Sequence, residues 1–273
     1  MRRSETENMC VPAIELNALT KRFRKADEPA VNAVNLSVSQ GEVLAIVGGS
    51  GSGKTTTLKM INRLIEPSSG SVRVMGEDVT DVDPVVLRRS IGYAFQGVGL
   101  FPHMTVGQNV GVTLQLLGWT KEAVAERVSD LLAMVDLPMD EYKNRMPSEL
   151  SGGQQQRVGF ARALASSPQA ILMDEPFGAL DPITRDALQQ EFRTLQKELN
   201  LSVVLVTHDM SEAVLLADRI AVMQKGAIAQ LASPQILLTS PVNEYVSRLI
   251  DTPRRHSEFI ESLLHGKTRG GVE

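Results

Sequence analysis

The stretch IVGGSGSGKTTTLKMI, residues 46–61, constrains this chain more than any other. It sets Gly48, Gly49, Gly51 and Gly53, with Ser50, Ser52, Thr55 and Thr56, around a single charge at Lys54. The apolar run Val43 to Val47 ahead of it reads as a buried strand of a parallel sheet. Beyond the glycines, Leu58, Ile61, Leu64 and Ile65 recur at helical spacing, which predicts one helix running until Pro67. The segment fits G-x-x-x-x-G-K-[ST], with Gly48, Gly53, Lys54 and Thr55 in the required positions. A flexible linker would not be clamped between two buried elements.

The residue types suit an anion. Gly48, Gly51 and Gly53 are expected to take positive φ, so that the backbone curls and its N–H groups converge. Those donors and the dipole of the following helix would face a β-phosphate. Lys54 would add a mobile charge toward β- and γ-phosphates, and the Thr55 hydroxyl a ligand for Mg²⁺.

Composition allows such a reading and excludes others. The chain has 273 residues, 42% hydrophobic and 22% charged, an ordinary balance for a globular core. A formal net charge of −4 argues against a protein that works by neutralising nucleic-acid phosphates. The basic cluster Arg254-Arg255-His256 stands beside Glu258 and Glu261, as on a solvated helix face. No apolar run approaches the roughly 20 residues that span a bilayer. The two arginines near the N-terminus have no apolar segment behind them, so no export signal is expected. Cys10 is the single cysteine, which suits a reducing cytoplasmic setting. The eleven methionines are scattered, as core filling would have them.

A nucleotide site needs acid at a second strand. Ala170 to Met173 is an apolar run ending in Asp174-Glu175, where ligands bind in open α/β sheets. Asp174 would serve the metal, and Glu175 a water in line with the γ-phosphate. Ser202 to Thr207 is a third such strand with His208 at its end; His208 is read either as a structural histidine or as a γ-phosphate contact. LSGGQQQR, residues 150–157, is a serine-capped helix start, yet Ser151-Gly152-Gly153 also makes a second anion-seeking N-terminus. Two such starts and one Lys54 make sense if the second completes a site on another copy.

In this order the motifs resemble those of the ATPase subunits of ABC transporters, across residues 14 to 240. GGSGSGKT at 48–55 looks like the Walker A loop, Gln96 like the Q-loop glutamine, LSGGQ at 150–154 like the signature, and the strand ending before Glu175 like Walker B. Ala179-Leu180-Asp181 resembles the D-loop, and His208 the switch histidine. One departure is Gly49, where many members have proline.

The resemblance implies an α/β P-loop NTPase fold of ABC type, with a small antiparallel β subdomain and a helical insert. It implies ATP and Mg²⁺ as cofactors, with catalytic roles for Glu175, His208 and Lys54. Nucleotide contacts would come from Phe23, which equally suits a core position, from Gly48, Gly49, Ser50, Gly51, Ser52, Gly53, Lys54, Thr55 and Thr56, and from Gln96. The facing copy would add Ser151, Gly152, Gly153 and Gln154. Metal contacts fall to Thr55, Gln96 and Asp174. The partners implied are a second copy, transmembrane permease subunits and, indirectly, a substrate-binding protein, with no nucleic acid. The implied location is peripheral, at the cytoplasmic face of the cell membrane.

TTLKMINRLIEPSSG, GYAFQGVGLFPHMTVGQNV, DEPFGALDPITRDALQQEF and SPVNEYVSRLI look like ATPases of importers for glycine betaine, choline or carnitine. Many of those carry C-terminal CBS-type domains, for which the thirty or so residues after Pro241 leave little room. The expected organisation is an ATPase domain over 12–240, then a C-terminal helix and tail over 241–273. Within it, 41–97 and 158–238 form the α/β core and 98–157 the helical insert. Residues 12–40 and about 70–76 are expected as a small antiparallel sheet. Val124, Val128, Leu131, Leu132 and Val135 mark an amphipathic helix in the insert. A polar amino-acid importer is the main alternative. A soluble ABC ATPase acting on DNA or ribosomes, or a P-loop kinase, fits less well.

Overall fold

The computed structural model describes residues 11–24, 27–95, 97, 99–251 and 255. Cys10, Gln96, Arg254, His256 and the stretch with Gly270 and Gly271 lie outside the described residues.

Three of the sheet-forming segments carry continuous apolar runs: β3 (Val43–Val47), β7 (Ala170–Asp174) and β8 (Ser202–Thr207), each buried along its whole length. Such runs need cover on both faces, which only a central parallel sheet provides. They pair in parallel as β3–β8–β7, with Val47 opposite Thr207 and Asp174 opposite Val206. β6 (Ile91–Ala94) extends the sheet beyond β7 in parallel, and β9 (Arg219–Gln224) flanks β3 in parallel. The edge beyond β9 is β10 (Ala227–Ala232), which runs antiparallel through a turn at Lys225-Gly226. The six-stranded order is β10-β9-β3-β8-β7-β6.

Alternation of side chains along these strands splits the core into two layers. Val43, Ala45 and Val47 of β3, with Ile171 and Met173 of β7, face one layer. The helices packed there are α3 (Val106–Leu116), α4 (Lys121–Met134), α6 (Gly152–Leu164), α7 (Pro182–Glu198) and α8 (Met210–Leu216). Val124, Val128, Leu131 and Leu132 of α4 and the following Val135 are all buried in this layer. Between α4 and α6 lies the single turn α5 (Met139–Tyr142).

Leu44, Ile46, Leu172 and Val204 face the other layer. It is closed by α1 (Lys54–Ile61) and by a second sheet of order β2-β1-β4-β5. That sheet is antiparallel, built from β1 (Ile14–Lys21), β2 (Val31–Val38), β4 (Ser69–Val74) and β5 (Glu77–Asp78). The short α2 (Pro84–Ser90) links it to β6, with Asp83 accepting from the N–H groups of Val85 and Val86. After β10, α9 (Pro234–Thr239) leads to a helical segment over 244–251 whose Val246 and Ile250 enter the core.

The first helix is shorter than the sequence pattern predicts. It stops at Ile61, capped by Asn62, so Leu64 and Ile65 lie beyond it and Leu64 is exposed. Arg63 takes φ 47°, its N–H donates to Met60 O, and the Leu64 N–H donates to Lys59 O. This is a left-handed helix cap made without glycine. The Arg63 guanidinium offsets the backbone cost by donating to the carbonyls of Val79 and Val82, both at 2.9 Å.

Candidate functional site

Because β3, β8 and β7 are parallel neighbours, their carboxyl ends bring Gly48, His208 and Glu175 to one edge of the sheet. The glycine loop turns there. Gly51 has φ 74° and Gly53, the N-cap of α1, has φ 106°, as expected. Gly48 does not have positive φ, so the expectation of curl at that residue is corrected. Its reason is space. A Cβ at Gly48 would lie 2.3 Å from Met223 O and 2.8 Å from Ser52 Oγ. At Gly53 a Cβ would also meet Ala30 O at 2.4 Å.

Lys54 is buried, and its Nζ donates to Gly48 O at 2.8 Å and Gly49 O at 3.0 Å. Burial lowers its pKa, with the nearby Glu175 and Asp174 carboxylates acting against that shift. Thr55 Oγ1 donates to Asp174 Oδ1 at 3.0 Å, across 119 residues of sequence. Burial raises the Asp174 pKa, ahead of the Thr55 hydrogen bond and Lys59, which pull it down. His208 Nδ1 stands 3.2 Å from Glu175 Oε2. Glu175 has φ 46°, a strained value for a carboxylate residue directly after a strand, and its N–H donates to Val206 O.

The residues present fit a phosphate and a cation. Ser52 Oγ is buried in the loop without a hydrogen-bond partner, a polar atom that a bound anion could satisfy. Among the described residues no group of three His, Cys, Asp or Glu side chains clusters for a metal. A divalent cation beside Thr55 and Asp174 would therefore complete its shell from phosphate oxygens and water, as Mg²⁺ commonly does. Ser50 and Thr56 belong to the same turn and first helical turn.

Two predicted contributors have neighbours other than the loop among the contacts of the structure. Phe23 follows β1, is 43% exposed, and sits 5.4 Å beneath the Lys21 ammonium. Ser151 caps α6 in a reciprocal box: its Oγ accepts from the Gln154 N–H, and its own N–H donates to Gln154 Oε1. Gln154 Nε2 donates to Tyr142 Oη at 3.1 Å. Gly152 and Gly153 back onto Leu180 and Thr184 at the start of α7. Among the described residues no hydrogen bond joins 151–154 to the 48–55 loop.

Sequence reasoning missed two groups. Tyr245, which the sequence places only within the expected C-terminal helix, donates its hydroxyl to Met223 O at 3.3 Å and accepts the Gly49 N–H at 2.9 Å. Glu212, four residues past His208, is buried next to Thr207, whose hydroxyl donates to Glu212 Oε2 at 3.1 Å. Its acidic position on a helix start gave no signal of burial.

Known proteins share the sequence and the fold of this chain. The family profile described as ABC transporter matches residues 31–178. The glycine betaine/carnitine/choline transport ATP-binding protein OpuCA of Bacillus subtilis (strain 168) is 53% identical over 88% of this chain and 63% of its own length. The osmoprotectant import ATP-binding protein OsmV of Salmonella typhimurium (strain LT2) is 50% identical over 88% of this chain and 64% of its own. The chain thus spans a little under two thirds of the length of these curated relatives. Among solved structures, a dimeric post-hydrolysis state of the ATP-binding cassette MJ0796 bound to ADP and Pi superposes with TM-score 0.72. It is 35% identical, covering 81% of this chain and 98% of that one. With more than half its residues matched by the profile and the fold of a solved cassette around its glycine loop, the chain belongs to the ABC transporter family.

Proposed function

We propose that this chain binds and hydrolyses ATP to drive import of a quaternary ammonium osmoprotectant such as glycine betaine, choline or carnitine. One observation carries the hydrolytic part: the glycine loop, the Thr55–Asp174 pair and the Glu175–His208 pair meet at the ends of three adjacent parallel strands. The relatives' names support the choice of cargo.

In this reading the loop 48–53 cradles the phosphates, and Lys54, held by the carbonyls of Gly48 and Gly49, pairs with them. Thr55 and Asp174 would hold Mg²⁺, and the motif assigns Gln96 to the same ion. The ion, when bound, would supply charge neutralisation to the reacting phosphates. Glu175 accepts a proton from water, and His208, within hydrogen-bond reach of it, orients that carboxylate and steadies the reacting phosphate. Phe23 stacks on the base. Ser151, Gly152, Gly153 and Gln154 close the site from a second copy.

No helix among the described residues is long and apolar enough to cross a membrane, so the path for cargo is assigned to separate transmembrane subunits. A groove lined by Leu64, Tyr93, Phe95, Phe101 and Leu116 gives them a seat. Four of these apolar side chains are more than 40% exposed, the kind of contiguous patch that marks a docking surface. The assembly would be peripheral, on the cytoplasmic side, with residues 98–157 carrying motion from the nucleotide site to the permease.

Purified chain is expected to release phosphate from ATP, and Glu175→Gln to lower turnover by about 10²–10⁴ with nucleotide binding retained. Wild-type turnover in that variant would contradict the role of Glu175. With its permease in vesicles, ATP-dependent uptake of labelled glycine betaine is expected. Uptake of a polar amino acid instead would move the cargo assignment.

A further inference from the structure

Tyr245 lies 196 residues from Gly49 in sequence, yet its hydroxyl accepts the Gly49 N–H at 2.9 Å. The same hydroxyl donates to Met223 O at the end of β9, 3.3 Å away. Its helical segment is held in place on either side. Val246 and Ile250 are buried in the core, and Asn243 Oδ1 accepts the Val246 N–H at 3.0 Å. Tyr245 is therefore a fixed acceptor facing the outside of the glycine loop.

The Gly49 N–H and the Gly48 carbonyl belong to one planar, trans peptide unit, so they point in opposite directions. That carbonyl accepts from Lys54 Nζ at 2.8 Å. Holding the N–H from outside fixes the rotation of the plane and keeps the carbonyl turned inward to Lys54. Gly48 itself packs against Met223 O, the carbonyl that also receives the tyrosine hydroxyl, so the contact closes on itself. A Cβ at Gly49 would meet only Tyr245 Oη, at 3.6 Å, an ordinary contact.

We propose that Tyr245 is a positioning residue for the glycine loop: through the 48–49 peptide, the C-terminal helical segment sets the loop and the Lys54 ammonium in the form that receives a triphosphate. This rests on the nucleotide site proposed above. It also makes the C-terminal segment an input to that site, since lifting Tyr245 away would free the peptide plane.

The test is ATP titration and steady-state hydrolysis of the full chain and its variants. Tyr245→Phe removes both hydrogen bonds of the hydroxyl, the one from the Gly49 N–H among them, and is expected to raise Kd and KM for ATP roughly 2- to 10-fold, with kcat little changed. Gly49→Ala keeps the N–H, and in that background Tyr245→Phe should have its full effect. Gly49→Pro has no N–H, and there Tyr245→Phe should change Kd by less than about twofold, as two changes to one bond do not add. Amide exchange at Gly49, faster in Tyr245→Phe, reads the same bond without needing the proline variant to fold. Tyr245→Phe with a lowered Tm but unaltered ATP affinity would overturn the inference, leaving the tyrosine a mere anchor. Lys54→Ala separates the two levels. If Lys54→Ala abolishes binding and Tyr245→Phe is silent, only this inference falls. If Lys54→Ala binds ATP normally, the nucleotide site itself falls.

Discussion

Glu212 illustrates how the environment, more than residue type, decides what a side chain does. Burial pushes its carboxyl up to about 7 from an ordinary 4.5; the Thr207 hydrogen bond and Arg185 act against this, while Asp209 and Glu175 add to it. The folded protein thus holds a proton that the unfolded chain releases between about pH 4.5 and 7. The stability contributed by the protonated form is complete below 4.5 and is lost as pH rises through about 7. Glu212→Gln abolishes that loss, so its Tm relative to the unaltered chain should rise between pH 5 and pH 8; parallel melting curves would contradict the burial argument. At this scale the sequence was readable where chemistry dictates residue type. Lys54, Thr55, Asp174 and Glu175 fall together as their motif requires, because no other residues supply those charges and ligands at that spacing. Gly48 was misread because a glycine kept for space and one kept for φ are identical in sequence. The role of Tyr245 was not legible because its hydroxyl finds its partners only through tertiary contact.

Elements were legible where pattern alone decides them. The uninterrupted apolar runs at β3, β7 and β8 could only be central strands, and the spacing of α4 names its buried face. The end of α1 was not legible, because Leu64 and Ile65 continue the helical spacing while the chain turns at Arg63. The stop depends on carbonyls of Val79 and Val82, contributed by another part of the chain. The start of α6 was legible as a cap, and its second reading, as an anion site, is a proposal. These two readings separate in one variant. Ser151→Ala removes a cap worth about 1 kcal/mol, which urea denaturation should read as a modest drop in stability. If Ser151 also faces a nucleotide held by a second copy, hydrolysis at saturating ATP falls further than the small unfolded fraction explains. A loss of stability with unchanged hydrolysis would leave Ser151 as a cap alone.

Across the whole molecule, one sheet divides the core and collects the chemistry at one edge. The glycine loop, the Asp174 carboxylate and the Glu175–His208 pair lie there, while the helix start at Ser151 is tied to α7 and to Tyr142 instead. Within one chain the glycine loop and the start of α6 share no hydrogen bond among the described residues. In the proposed reading each copy offers half of two sites, and a two-fold pair in which each loop faces the other copy's Ser151 would make both halves whole. Sedimentation of Glu175→Gln with saturating ATP and Mg²⁺ measures this directly. The account predicts a species of twice the protomer mass that reverts to single copies when ATP is withheld. A variant that binds ATP fully yet sediments only as single copies would contradict it.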